Sequence, residues 1–356
     1  MSSERVGRIE FSENKRAVYI FRADDDASGK TAAAETPAVH KAGLLGEGGM
    51  ARVYKIPAGA FPAPVAIKRY SESVLQKNRS ALGPFLRSLI DFRKELPDNA
   101  RHIMDQCTTW PQRLVYDYGS DNVCGFTMQL IPEMFFSRVN VSDYEETHES
   151  NLDFVLQGSD FRRAHGLPAL TKQGAARVIY GLMQIVSVLH SYDYVLGDMS
   201  PKNTLIRVDG IDQSRNRVLL IDTDSYRKKG SVNPLRQSHT PDWIPPECMK
   251  AAFELEKLTI SANPNQFAKL ELEKFVQNQR TDIYKLCLAI TRLYHVGGFA
   301  SMIQSSDSAA DRLCREIGEE FAKYVSLGLS EKPEDRPTVG DMLECFRKSL
   351  QSKRRK

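Results

Sequence analysis

The chain has 356 residues and a net charge of +4, too small at this length to signal a nucleic-acid-binding surface. Its hydrophobic content of 41% and charged content of 26% fit an ordinary globular protein, long enough for two units with their own cores. No apolar run approaches the ~18 residues that span a bilayer, and the first residues form no signal-type apolar segment. The six cysteines (Cys107, Cys124, Cys248, Cys287, Cys314, Cys345) form no CxxC pair, and the histidines lack zinc-ligand spacing. The expectation is a cytoplasmic protein with reduced thiols and neither a membrane nor a nucleic-acid partner. The basic tail Lys353-Arg354-Arg355-Lys356 reads as a solvated terminus, with an acidic partner as the alternative.

From Arg8 to Arg22, apolar residues alternate around Ser12-Glu13-Asn14, which predicts a β-hairpin. Ala23 to Pro37 is Asp-, Ala- and Gly-rich with little to bury. Residues 1–40 are therefore assigned to an N-terminal hairpin and a flexible linker. Structure resumes with a strand at Ala42 to Leu45, then Gly46-Glu47-Gly48-Gly49-Met50-Ala51, then the alternating run Arg52 to Ile56. Glycines let backbone N–H groups approach phosphate oxygens because no Cβ intervenes. A dinucleotide fold would need a helix directly after them. The β-branched and aromatic alternation predicts a loop between two strands instead.

Twenty residues beyond Gly48, Val65-Ala66-Ile67-Lys68 ends a strand on lysine. Glycine loop and tetrapeptide together resemble the protein-kinase superfamily, in which this lysine holds the α- and β-phosphates of ATP. The resemblance implies an α+β, bilobal protein-kinase-like fold, with a small β-rich N-lobe over residues 41–131 and a larger helical C-lobe over residues 132–356. It implies that Gly46 and Gly48 cover the phosphates and that Val53 and Ala66 cover the base. Met128 would stand behind the pocket, and the hinge from Gln129 to Glu133, with Gln129 and Ile131, would bind the adenine edge. By sequence alone Val53, Ala66 and Met128 are equally well core residues. A kinase helix should also give Lys68 an acidic partner. No acidic residue lies between Ser73 and Ile90, and Gly83-Pro84 interrupts the periodicity. A helix of about Phe85 to Glu95 is expected, with Asp91 or Glu95 as the partner.

Residues 133–170 and 248–280 read as insertions, the second helix-prone around Gln266 to Gln277 and either a docking element or a solvated helix. From Thr171 a 3.6-residue apolar period runs to Leu189 and delivers the chain to Leu196-Gly197-Asp198-Met199-Ser200-Pro201-Lys202-Asn203. Val218 to Ile221 then forms a buried strand leading into Asp222. Two carboxylates and a carboxamide so arranged suit a divalent cation and a positioned base, the needs of phosphoryl transfer. In the kinase pattern Asp198 is the base, Lys202 neutralises the γ-phosphate, and Asn203 and Asp222 hold Mg²⁺. Leu196 and Gly197 replace the family's histidine and arginine, and Thr223 and Asp224 replace its phenylalanine and glycine. Asp224 is assigned as a turn cap, with metal assistance as the alternative.

Thr240-Pro241-Asp242-Trp243-Ile244-Pro245-Pro246-Glu247 resembles the close of an activation segment. By that resemblance Thr240 hydrogen-bonds near Asp198, Glu247 pairs with Arg336, and Asp282 holds the catalytic loop from below. Two last helices are expected at about Ala310 to Ser326 and Thr338 to Leu350. Residues 42–350 thus resemble a divergent bacterial branch of atypical protein kinases. Some relatives there sit beside a phosphatase or a von Willebrand-type protein. The expected function is ATP- and Mg²⁺-dependent Ser/Thr protein phosphorylation. The alternatives are a nucleotide-binding pseudoenzyme scaffold, suggested by Leu196, Gly197 and Thr223, and a small-molecule kinase. With no arginine before Asp198, activity should not require phosphorylation of Ser225, Tyr226, Ser231 or Ser238.

Overall fold

The computed structural model describes residues 6–22, 37–142, 144–167, 169–208, 217–231, 233–235, 239–258, 263–296 and 300–354, and the fold is mixed α+β. Residues 23–36 of the expected linker and Ser238 lie outside the described residues. The chain divides into two compact units, one of residues 1–101, 109–131 and 232–236 and the other of residues 102–108, 132–231 and 237–356.

The first unit is built on one eight-stranded sheet. Its strands are β1 (Val6–Ser12), β2 (Ala17–Arg22), β3 (Ala38–Lys41), β4 (Gly43–Glu47), β5 (Ala51–Lys55), β6 (Val65–Tyr70), β7 (Arg113–Asp117) and β8 (Val123–Gln129). They lie in the order β3-β2-β1-β7-β8-β6-β5-β4. The predicted hairpin forms, with Phe11 opposite Val18 and Ser12 opposite Ala17. It is part of the sheet of the first unit. β1 runs parallel to β7 near the middle of the sheet, and Ile9, Phe11, Val18 and Ile20 are buried. Exposing such side chains would cost about 1.5–3 kcal/mol each. The sheet curls enough to bring the Phe11 ring within 4.8 Å of Tyr54 on β5.

The helix after β6 is also longer than expected. α1 (Glu72–Glu95) runs unbroken through Pro84. Leu75, Leu82, Phe85, Leu86, Leu89 and Ile90 form one buried stripe against β7 and β8, and this packing offsets the hydrogen bond that proline removes. Trp110 Nε1 donates to the Leu89 carbonyl at 2.8 Å and fastens the chain leaving α2 (Asp98–Cys107) to α1. Asp91 pairs with Lys94 on its own helix at 3.3 Å, and Glu95 is exposed.

The larger unit opens with the first insertion, folded as a hairpin of β9 (Phe136–Val141) and β10 (Tyr144–Glu149) followed by α3 (Leu152–Leu156) and α4 (Ser159–Ala164). α5 (Lys172–Ser191) buries the periodic residues from Ala175 to Leu189 and is capped by Thr171, whose hydroxyl accepts from Gly174 N at 3.1 Å. After it come β11 (Tyr194–Val195), the paired β12 (Thr204–Arg207) and β13 (Arg217–Leu220), and β14 (Arg227–Lys228), which pairs with β11. The second insertion contributes α6 (Pro246–Glu256) and α7 (Pro264–Lys274), joined by a small cluster of Ala251, Leu255 and Leu270. α8 (Gln279–Tyr294) starts with a full capping box at Asn278 and Thr281 and is buried nearly all round. The helix expected at Ala310 to Ser326 is two, α9 (Asp307–Glu316) and α10 (Glu319–Gly328), before α11 (Val339–Arg354). All six cysteines are free. Among the described residues no helix is long and apolar enough to cross a membrane.

Candidate functional site

In the first unit, strand register gathers the expected nucleotide residues. Val53 lies opposite Lys68, and Ala66 lies opposite Met128. Residues two apart on a strand share a face, so Val53, Ala66, Lys68 and Met128 line one side of the sheet. Gly46 pairs with Val53 at its edge, and the loop is closed by Gly48 N donating to the Ala51 carbonyl at 2.9 Å. Lys68 is buried, not an exposed lysine at a strand end. Gln129 is the last residue of β8, and Ile131, half-buried, ends this part of the unit.

The opposite face carries a network that the sequence reading missed. Buried Arg69 meets Glu13 at 2.8 Å, Glu72 at 2.6 Å and Asp117 at 3.4 Å. Glu13 also accepts from Arg52 at 2.7 Å and from the Tyr54 hydroxyl at 3.2 Å. Arg52 in turn holds Glu47, inside the glycine loop, at 2.6 Å. Only the Arg69–Glu72 spacing could have hinted at it.

In the larger unit, Asp282 at the start of α8 is fully buried and anchors the loop from Leu196 to Asn203. It accepts from Leu196 N and Gly197 N, both at 2.9 Å, and contacts His190 Nε2 at 3.0 Å. One helical turn on, the buried Lys285 ammonium donates to the Gly197 carbonyl. Burial pulls the Lys285 pKa down, while Asp198 and Asp282 hold it up. A lysine beneath the loop thus stands where the sequence reading found no cation. Its three-residue offset from Asp282 was the available clue.

Gly197 itself has φ +73°, and a Cβ there would come within 2.2 Å of Gln277 Oε1. The Gln277 side chain can move, but the backbone conformation cannot change without unpinning the loop. Gly197→Ala is expected to cost about 1–2 kcal/mol, read as a lower urea midpoint. An unchanged midpoint would contradict this.

On this platform the Asp198 carboxylate is held from both sides. Thr240 Oγ1 donates to Oδ1 at 2.8 Å and Asn203 Nδ2 donates to Oδ2 at 3.0 Å. Burial raises its pKa, opposed by the Thr240 hydrogen bond and the Lys285 charge, while Asp222 adds to the rise. Asp222, two residues beyond β13, has a left-handed conformation, φ 55° and ψ 36°, uncommon for a non-glycine residue and seen at strained functional positions. Lys202 is exposed, and its charge pulls down the Asp153 pKa against the upward push of burial. Asp224 is buried within the short turn that begins at Asp222.

Asn203 turns its amide nitrogen toward Asp198, which leaves its Oδ1 as an oxygen donor, and its backbone carbonyl accepts from Ile221 N, the residue before Asp222, at 3.0 Å. Such hard oxygens suit Mg²⁺, which takes few protein ligands and completes its shell with water and phosphate. Among the described residues no group of three or more His, Cys, Asp or Glu could hold a metal by itself.

In the segment after Asp222, Ser225 and Tyr226 are buried and Ser231 is exposed. Glu247 and Arg336 form the expected pair, bidentate at 2.8 and 2.6 Å. His239, next to Thr240, is buried with neither ring nitrogen in a well-formed hydrogen bond. Burial, with help from Lys285, lowers its pKa to about 4. The unfolded chain, with histidine near 6.5, then binds more protons than the folded one, so stability falls as pH drops from about 6.5 to about 4. His239→Gln should lose about 2 kcal/mol less than wild type over that window. Parallel pH profiles of urea unfolding would refute this.

Comparison of the chain with models of known families and with curated proteins gives no match.

Proposed function

We propose that the chain is an ATP- and Mg²⁺-dependent serine/threonine protein kinase of bilobal kinase-like fold. The observation that carries this reading is Asp198. Thr240 and Asn203 aim its carboxylate, and Asp282 and Lys285 fix the loop bearing it. A burial-raised pKa makes a stronger base for the proton of a substrate hydroxyl. Asp222 and Asn203 would hold Mg²⁺, which supplies neutralisation of phosphate charge. Exposed Lys202 is free to approach the γ-phosphate.

The glycine loop supports nucleotide binding. A Cβ on Gly46 or Gly49 would meet nothing within 4 Å, so internal packing does not call for glycine there. A closely approaching phosphate does. Val53, Ala66 and Lys68 share the face that would receive the base and phosphates, with Gln129 and Ile131 for the adenine edge. Tethering of the Thr240 to Glu247 stretch through Arg336 supports a protein substrate over a metabolite. A cytoplasmic location belongs to the same proposal and accords with six free cysteines. The resemblance adds a phosphatase or a von Willebrand-type protein as partner candidates.

The test is transfer of labelled γ-phosphate from Mg²⁺-ATP to Ser/Thr protein substrates by wild type, Asp198→Asn and Asp222→Asn. Equal incorporation by all three would overturn the proposal. Thermal stabilisation by nucleotide without turnover would favour the scaffold reading, for which Leu196, Gly197 and Thr223 speak.

A further inference from the structure

The larger unit has a second concave face, built from other residues than the Asp198 centre. A cavity of about 800 Å³ lies between α5, the junction of α9 with α10, and the end of α11. Lys172, Arg177, Arg315, Arg347 and Lys353 stand around it. The one carboxylate in the lining, Glu316, is already held by Arg312 at 3.0 Å and Lys172 at 3.7 Å. The other cations have no such compensation. Arg347 donates to the Tyr180 hydroxyl at 3.3 Å, and Lys353 donates to the Arg315 carbonyl, both neutral acceptors. Among the described residues Arg177 and Arg315 form no ion pair. The sequence continues into Arg354, Arg355 and Lys356.

The floor is apolar. Tyr180 and Phe346 stack with centroids 6.2 Å apart, beside Ile317 and Leu350. Like charges gathered at one place destabilise a fold through mutual repulsion. An anionic occupant over the aromatic floor would relieve that repulsion. A single small anion would satisfy one or two of four uncompensated cations, whereas a chain of carboxylates can reach them all. A membrane surface is disfavoured because the apolar groups line a hollow instead of projecting from the surface.

We propose that this groove docks an acidic protein segment that inserts an apolar, preferably aromatic, side chain between its carboxylates. The proposal is independent of the phosphotransfer reading. It is tested with the full chain by fluorescence anisotropy, using a fluorescein-labelled glutamate-rich peptide with a central phenylalanine and its glutamine counterpart. The glutamate peptide is expected to bind at least ~10-fold more tightly, and Arg177→Glu with Arg315→Glu should remove that advantage without lowering the melting temperature. Reversal of two exposed lysines at α6, Lys250→Glu within the helix with Lys257→Glu at its C-cap, should leave binding unchanged. Equal binding of the two peptides, or an equal loss from the α6 reversals, would overturn the proposal. Tighter binding to phosphatidylserine vesicles than to the peptide would overturn it by assigning the face to lipid.

Discussion

Asp198→Asn is expected to lower phosphoryl transfer by about 10²–10⁴-fold, the usual worth of a positioned general base. The same variant should unfold within about 1 kcal/mol of wild type, near the ordinary limit for a change that preserves hydrogen bonding. The geometry separates the two effects. Asparagine keeps the shape and one acceptor oxygen of Asp198, so Asn203 can still donate to it at the present 3.0 Å separation. Thr240 loses its acceptor, but its hydroxyl can rotate and accept from the new amide. What is removed is the negative charge, part of the support of buried Lys285, and with it the capacity to take a proton. The pH profile supplies a second readout. Because burial raises the Asp198 pKa, the acid limb of activity should lie above the usual carboxylate range near 3.9. Turnover unaffected by the substitution, or an acid limb at or below that range, would remove Asp198 from the role of base.

Glu247→Ala should destabilise the larger unit by about 3–5 kcal/mol, as breaking a buried ion pair from one side does. The Arg336 side chain is 0% exposed and the Glu247 side chain 23%, so the stranded partner is the one with no access to water. Arg336 would retain its bonds to the Ser330 and Arg280 carbonyls and its place over the Tyr284 ring. These contacts put the expected loss toward the lower end of the range. Replacing both residues by apolar ones of similar volume should cost less than Glu247→Ala, since no charge is left buried. Urea unfolding of the three proteins decides the matter, and a Glu247→Ala loss below about 1 kcal/mol would place the pair among ordinary surface bridges.

What could be read from the sequence was whatever is written locally. The α5 period, the β4–loop–β5 alternation and the run from β13 into Asp222 each depend on a single face repeated along the chain. They appear in the structure nearly as spaced in the sequence. The Glu247–Arg336 and Thr240–Asp198 contacts came from motif resemblance, because nothing local links residues so far apart. Local reading failed where tertiary burial overrode it. Pro84 argued for a helix break, yet the buried stripe on either side carries α1 through. His190, Gln277 and Lys285 remained invisible because their role exists only once α5 and α8 lie under one loop. Arg69 was overlooked beside Lys68, although it holds Glu13, Glu72 and Asp117 together.

Glu13 gives the first hairpin a practical meaning for anyone dissecting the chain. Motif spacing invites a cut near Lys41, just ahead of the glycine loop. Such a cut would bare the edge of β7, leave Tyr54 without the Phe11 ring, and take from buried Arg69 one of its three carboxylates. Open strand edges recruit other chains. The shortened protein should therefore elute as aggregate in size-exclusion chromatography, while a chain begun at Val6 should elute as the intact protein does. The glycine loop, through Glu47, Arg52 and Glu13, is tethered to the opening turn of the molecule.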